Sequence, residues 1–437
     1  LLESGPIGPA EVRRFSYAGA EPFMTLTTRG RMCQIQEDGR TRTVEGDPFA
    51  VLQSLLDQCR ADAPAGFPGP PGAAVGYFGY ELGSLVERLP ATPADDLGLP
   101  DMIVGFYDLL VMIDHTRGGA ALLVGPPAGR EAEALAKAER WRAALEQAGP
   151  LAEVPVRAAG PVTSSMTRAV YRHAVEQALA YIGAGDIYQV NLSQRFTSPY
   201  EGTGWDLYRR LRQLNPAPFA AFLEMGDWQV VSGSPERFIT VEGRKIETRP
   251  IKGTRPRGAT PEADAAQAAE LLSSEKDAAE LVMIVDLQRN DLGRVCEFGS
   301  VTVPDLRRLE QTPNVWHTVA TVEGRLRAEA SLSDILKATF PGGSITGAPK
   351  VRSMEIIAEL ELVRRHVYTG GIGYIGFDGR LDLNIAIRTA VVKEGAAHFH
   401  AGGGIVADSD PDLEYAETVA KGSGIARALG VSLNELA

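Results

Sequence analysis

Cysteine is scarce. The 437-residue chain has three, Cys33, Cys59 and Cys296, widely spaced and with no C-x-x-C pair. That excludes a disulfide framework and a zinc site, and predicts a reducing, cytoplasmic setting. No apolar run approaches the roughly 20 residues that a bilayer-spanning helix needs, and nothing in the sequence suggests a targeting peptide. Positive charge is in deficit. A net charge of −12 excludes a general nucleic-acid or membrane-surface binder. Nucleotide loops are missing too. PGGSITGAPK (341–350) runs Gly-Ala-Pro-Lys where a Walker loop needs Gly-Lys-Ser/Thr, and AGGGIVADS (401–409) lacks G-x-G-x-x-G spacing. No Ser-His-Asp grouping stands out. No nucleophile-elbow cysteine occurs, so the chain is not expected to hydrolyse glutamine itself. His398 and His400 alternate on one strand and are read as structural or exposed.

What is present is an ordinary globular composition, 44% apolar and 23% charged. The length allows two or three domains or one large two-lobed unit. Residues 1–148 read as short strands and turns, with helices over 47–59 and 129–149. Residues 149–165, rich in Pro, Gly and Ala, read as a linker. Residues 166–437 mix strands and helices without steady βαβ alternation, which predicts an α+β fold.

Several stretches in that last region carry possible chemistry. RPIKGTRPRG (249–258) sets Lys252 among Arg249, Arg255 and Arg257. Clustered positive charge loosens a lysine's proton and makes it nucleophilic; a solvated basic loop is the plainer reading. In DIYQVNLSQRF (186–196), Gln189, Asn191, Ser193 and Arg195 share one strand face, which either meets water or lines a cleft. Glu414, Glu417 and Lys421 share a face of a helix capped by Ser409. They read as a surface salt bridge or as carboxylates for a hard cation, which Glu280 of another helix would complete. PGGSITGAP feeds a helix and can bind an anion there. Arg388, on the polar strand face of Asp382 and Asn384, can clamp a carboxylate or form a buried ion pair.

The motifs SGSPERF, RPIKGTRPRG, AELVMIVDLQRNDLGRV, FPGGSITGAPKVRSMEII, GYIGFDGRLDLNIAIRT and AGGGIVADSDPDLEYAET occur in the order seen in chorismate-utilising enzymes. The chain resembles that family over nearly its whole length. The resemblance implies an anthranilate-synthase-like fold: two facing antiparallel β-sheets with helices outside, an active-site cleft between them, and both halves intertwined in one unit. Within the family, P-I-K-G-T and GGSITGAPK resemble aminodeoxychorismate synthases, where anthranilate synthases carry P-I-A-G-T. Anthranilate synthase component I is the alternative. Gln189 stands where water-using members carry a lysine, which implies ammonia as nucleophile.

By the same match, Lys252 attacks C2 of chorismate and Glu236 acts as general acid. Mg²⁺ is held by Glu280 and Glu417 with Glu414 close by. Arg388, Tyr368, Gly402 and Gly404 hold the enolpyruvyl carboxylate, and His317, Asn191, Ser344 and Lys421 line the site. The partner implied is a glutamine amidotransferase subunit. Glu3 and Ser4, in LLES (1–4), resemble the family's tryptophan-binding segment. Trp316 and Thr318 depart from the residues that usually flank the histidine matching His317.

Overall fold

Alternating and β-branched stretches dominate the chain, and their apolar faces are buried by stacking two sheets against helices. The structure is a computed structural model that describes residues 1–5, 12–63, 66–90, 92–154 and 160–433. Among these residues the strands form antiparallel sheets of eleven and twelve strands.

The first sheet runs from Thr163–Ser164 through Gln189–Pro199, Ala396–Ile405, Thr389–Lys393, Trp228–Ser234 and Phe219–Glu224 to Leu2–Glu3, then Phe15–Ala18, Leu109–Asp114 and Ala120–Val124. Gly347–Ala348 adds a short edge against Gln189–Pro199. The second sheet begins with Ile251–Pro256, Val315–Arg325, Lys245–Arg249, Arg237–Glu242, Leu381–Ile385 and Gly371–Gly376. It continues through Ala73–Phe78, Met102–Tyr107, Met24–Arg29 and Met32–Glu37 to Arg40–Glu45, and Thr302–Gln311 pairs with Val315–Arg325. Each sheet therefore takes strands from both sides of residues 149–165.

Helices lie outside the sheets. Arg168–Ala184 starts at the Thr167 side-chain cap and ends at Gly185 with φ +82°, as a left-handed cap requires. Glu275–Gly293 starts at Ser274, whose side chain accepts from the Asp277 N–H. Pro411–Leu429 is capped by Asp410 rather than Ser409. Asp410 Oδ1 reaches two backbone N–H groups, while Ser409 is drawn inward to Glu414. The helix expected over 129–149 spans Glu131–Glu146, with Gln147 rather than Gly149 as its cap. No helix among the described residues is long and apolar enough to cross a membrane, and the three cysteines are free and buried.

Of the two readings open for the polar face of Gln189–Pro199, water is ruled out: Gln189, Asn191, Ser193 and Arg195 are all buried. One strand expectation changes. Arg388 does not continue the face of Asp382 and Asn384. The strand stops at Ile385, because the chain there leaves the second sheet to enter the first at Thr389–Lys393. Arg388 makes that corner with φ +53°, a left-handed backbone that costs a non-glycine residue roughly 1–2 kcal/mol.

Candidate active site

Between the sheets lies a cavity of about 680 Å³. Lys252 enters it from the strand Ile251–Pro256. Gly253, with φ +75°, turns the backbone beside it. The arginines of the basic stretch are not what loosens its proton. Arg249 is paired with Glu310, Arg255 with Glu270 and Asp277, and Arg257 with Asp264. Their charge is spent on carboxylates, and they tie this strand to the helices Pro261–Ser273 and Glu275–Gly293. Burial is the main cause that lowers the Lys252 ammonium pKa, with Lys421 adding to it against Glu280 and Glu236. The nearest carboxylate oxygen, of Glu280, is 4.0 Å from Nζ.

Glu236 faces the same cavity from the turn between Trp228–Ser234 and Arg237–Glu242. It is 4% exposed. Burial raises its carboxyl to about 7, against the opposing pull of Ser344 and Lys252. The Ser344 hydroxyl donates to Oε1 at 2.6 Å. The site thus pairs an amine whose pKa burial lowers with a carboxyl that burial raises to about 7, the pairing that nucleophilic attack with leaving-group protonation needs.

Three carboxylates line the cavity from the helices Glu275–Gly293 and Pro411–Leu429: Glu280, Glu414 and Glu417. Burial raises Glu280 and Glu414 above the usual carboxylate range. Burial pushes Glu417 up as well, but its ion pair with Lys421, together with the nearby charges of Lys252 and Lys276, outweighs that and holds it low. Glu414 accepts from Ser409 at 2.6 Å. Gly403 keeps space in front of them. A Cβ there would stand 3.0 Å from Glu414 Oε2 and 3.5 Å from Glu417 Oε1. Among the described residues no three His, Cys, Asp or Glu side chains converge closely enough to hold a metal. The oxygen-only donors and the glycine cradle nonetheless suit a hydrated Mg²⁺, which takes few carboxylates and keeps waters.

The remaining expected residues gather here as well. Arg388 has no carboxylate within ion-pair distance among the described residues, and burial lowers its pKa. Tyr368 lines the cavity and stacks on His400 at 5.0 Å between ring centres, so His400 belongs to this wall. His317 Nδ1 lies 2.8 Å from the Thr254 hydroxyl. Burial and Arg388 lower its pKa to about 4, which leaves it neutral at pH 7. Asn191, Ser344, Gly402, Gly404 and Lys421 also line the cavity. Lys421 Nζ donates to the Gly402 carbonyl at 3.0 Å. Gln189 lies just behind the wall. A Cβ on Gly404 would be 2.0 Å from Gln189 Nε2 and 3.5 Å from Lys252 Nζ. Only Ser344 and Ile345 of the PGGSITGAP loop reach the cavity, so the helix N-terminus that follows offers it no anion site.

The chorismate binding enzyme family matches residues 13–427. The chain belongs to that family. It is 46% identical over 424 residues to aminodeoxychorismate synthase component 1 of Salmonella typhimurium (strain LT2), covering 96% of this chain and 90% of that one. It is 42% identical over 451 residues to anthranilate synthase component 1 of Pseudomonas putida, covering 99% and 90%. Among solved structures, anthranilate synthase component I from Streptococcus pneumoniae TIGR4 superposes with a TM-score of 0.85 at 34% identity, covering 98% of this chain and 94% of that one. This chorismate-binding enzyme has the two facing antiparallel sheets, outer helices and α+β character expected from its motifs.

Glu3 and Ser4 stand apart from the large cavity. They line a second, smaller one of about 120 Å³ with Arg237, Asp382 and Asn384. The Glu3 carboxylate turns instead to Tyr208, from which it accepts at 2.6 Å, and to Arg212, paired at 2.6 Å, both of which line a separate cavity of about 260 Å³. The Ser4 hydroxyl donates to the Phe15 carbonyl at 2.7 Å. Lys276 and Asp277, not among the expected site residues, also rim the large cavity. Their place one turn before Glu280 on the same helix was the available signal.

Proposed function

We propose that this chain aminates chorismate at C4, as the synthase component of an aminodeoxychorismate synthase supplied with ammonia by a glutamine amidotransferase partner. Relatives named component 1 support such a partner. The observation that carries the reading is that buried Lys252, its pKa lowered by burial, shares one cavity with buried Glu236, whose carboxyl burial raises to about 7. Lys252 attacks C2 of chorismate while Glu236 protonates the departing C4 hydroxyl, since hydroxide alone is a poor leaving group. Ammonia then adds at C4, and Lys252 is expelled to give 4-amino-4-deoxychorismate, a precursor of 4-aminobenzoate and folate. Gln189, where a lysine base would activate water, suits ammonia.

Arg388 and Tyr368, with the backbone at Gly402 and Gly404, hold the enolpyruvyl carboxylate, and His317, Asn191, Ser344 and Lys421 complete the wall. Glu280 and Glu417, with Glu414 beside them, would hold Mg²⁺, which when bound neutralises the ring carboxylate. The smaller cavity at Glu3 and Ser4 is the place for tryptophan. The test is product identification. The purified chain is incubated with chorismate, Mg²⁺ and ammonium, and products are separated by chromatography with mass detection. Aminodeoxychorismate without anthranilate is expected. Anthranilate would assign the alternative reaction and show that the lysine in P-I-K-G-T does not decide it.

A further inference from the structure

Behind the cavity, outside the groups that line it, sits an arginine with every donor used. Arg365 is 2% exposed and Glu361 is 5% exposed. Arg365 Nε donates to Glu361 Oε2 at 2.8 Å and Nη2 to Oε1 at 2.6 Å. The remaining donors reach the Asn191 carbonyl at 2.7 Å, the Ile345 carbonyl at 3.0 Å and the Thr369 hydroxyl at 3.3 Å. Glu361 Oε1 also accepts from both the backbone N–H and the hydroxyl of Ser193 at 2.8 Å. The guanidinium lies over the Tyr368 ring at 5.8 Å. One side chain therefore binds the strand that carries Asn191, the turn that carries Ser344, and the loop that carries Tyr368. These three segments are remote in sequence, and each supplies a wall of the cavity.

A buried ion pair adds little net stability compared with apolar packing of the same volume. The fork geometry of arginine, by contrast, fixes several acceptors at once, which lysine cannot do. We propose that Arg365, braced by Glu361, is a positioning residue for the amination site. It holds Ile345 so that Ser344 keeps its hydrogen bond to Glu236, and it sets Asn191 and Tyr368 against the substrate. Arg365 touches neither substrate nor reacting atoms. The inference rests on the reaction proposed above.

The test compares wild type with Arg365→Lys, which keeps the charge opposite Glu361 but loses the fork. Ammonium-dependent turnover of chorismate is measured across pH, together with thermal unfolding. Arg365→Lys is expected to lower kcat about tenfold, the effect of roughly 1.4 kcal/mol, with a smaller change in KM. The alkaline limb of kcat/KM should move upward as the Ser344 bond to Glu236 loosens. In a Ser344→Ala background the same substitution should give no further movement of that limb. A lower melting temperature with kcat and pH profile unchanged would overturn the inference.

Should Arg365→Lys not fold, Ser193→Ala removes one support of Glu361 and should move the limb the same way by less. An unmoved limb there would also overturn the inference. Wild type that yields no aminodeoxychorismate would instead sink the underlying reaction, so the two failures are distinct.

Discussion

Removing the Ser344 hydroxyl should move the pH dependence of the enzyme in a known direction. Ser344 donates at 2.6 Å to Glu236 Oε1, and this bond favours the carboxylate over the acid. Hydrogen bonds to charged groups contribute about 1.5–3 kcal/mol. The neutral acid keeps part of that, so about half is differential, which is about one pH unit. Glu236 sits at about 7. It must be protonated to assist departure of the C4 hydroxyl, so activity falls on the alkaline side as it ionises. In Ser344→Ala the carboxylate loses its donor and the acid form persists to higher pH. The alkaline limb of kcat/KM for chorismate should therefore rise by about one unit. The assay is initial rate against pH at constant free ammonia, with product followed by chromatography. A limb that stays in place, or moves down, would refute the assignment of that limb to Glu236.

Glu236→Gln should be inactive yet more stable above neutrality. The folded pKa is raised from 4.5 to about 7, so the folded state gains from this proton below pH 4.5 and loses that gain as pH rises through 7. The loss amounts to about 3 kcal/mol at most, and urea unfolding at pH 8 would show whether the amide restores it. Gly404→Ala would drive a methyl to 2.0 Å from Gln189 Nε2. Turnover should fall at least tenfold while circular dichroism is unchanged; near-normal kcat would mean that this wall is not rigid. Chelation of Mg²⁺ should abolish turnover and readdition restore it, and activity that survives excess chelator would count against the carboxylates Glu280 and Glu417 as its holders.

Much of the site was legible because its residues sit in long motifs that read together. Lys252, Glu280, Arg388 and Glu417 come from four separate stretches, and their sharing one cavity followed from resemblance rather than from spacing. Local residues suffice where the contact is local: Thr167 caps its helix, Gly185 ends it with φ +82°, and the chain turns at Asp378–Gly379. They fail where a long-range partner decides the outcome. The three arginines around Lys252 look like an electrostatic activator in sequence, yet Glu310, Glu270, Asp277 and Asp264 neutralise them. Arg388 looked like the next residue of a strand face, because nothing in its own sequence reports that the chain changes sheets there. Ser409 fits the helix-capping preference, but Glu414 claims its hydroxyl and leaves Asp410 to cap.

The placing of Leu2–Glu3 has a consequence for how the molecule is made. That two-residue strand pairs on one side with Phe15–Ala18 and on the other with Phe219–Glu224. It is the seam where early and late strands of the first sheet meet. The corresponding seam of the second sheet joins Ala73–Phe78 to Gly371–Gly376. Neither can close until synthesis has passed residue 224 in one case and residue 376 in the other. Contacts so distant in sequence slow folding and leave strand edges unpaired meanwhile. A ribosome carrying a chain of about half this length therefore holds strands whose partners do not yet exist, and chaperone demand should peak before the large cavity can form.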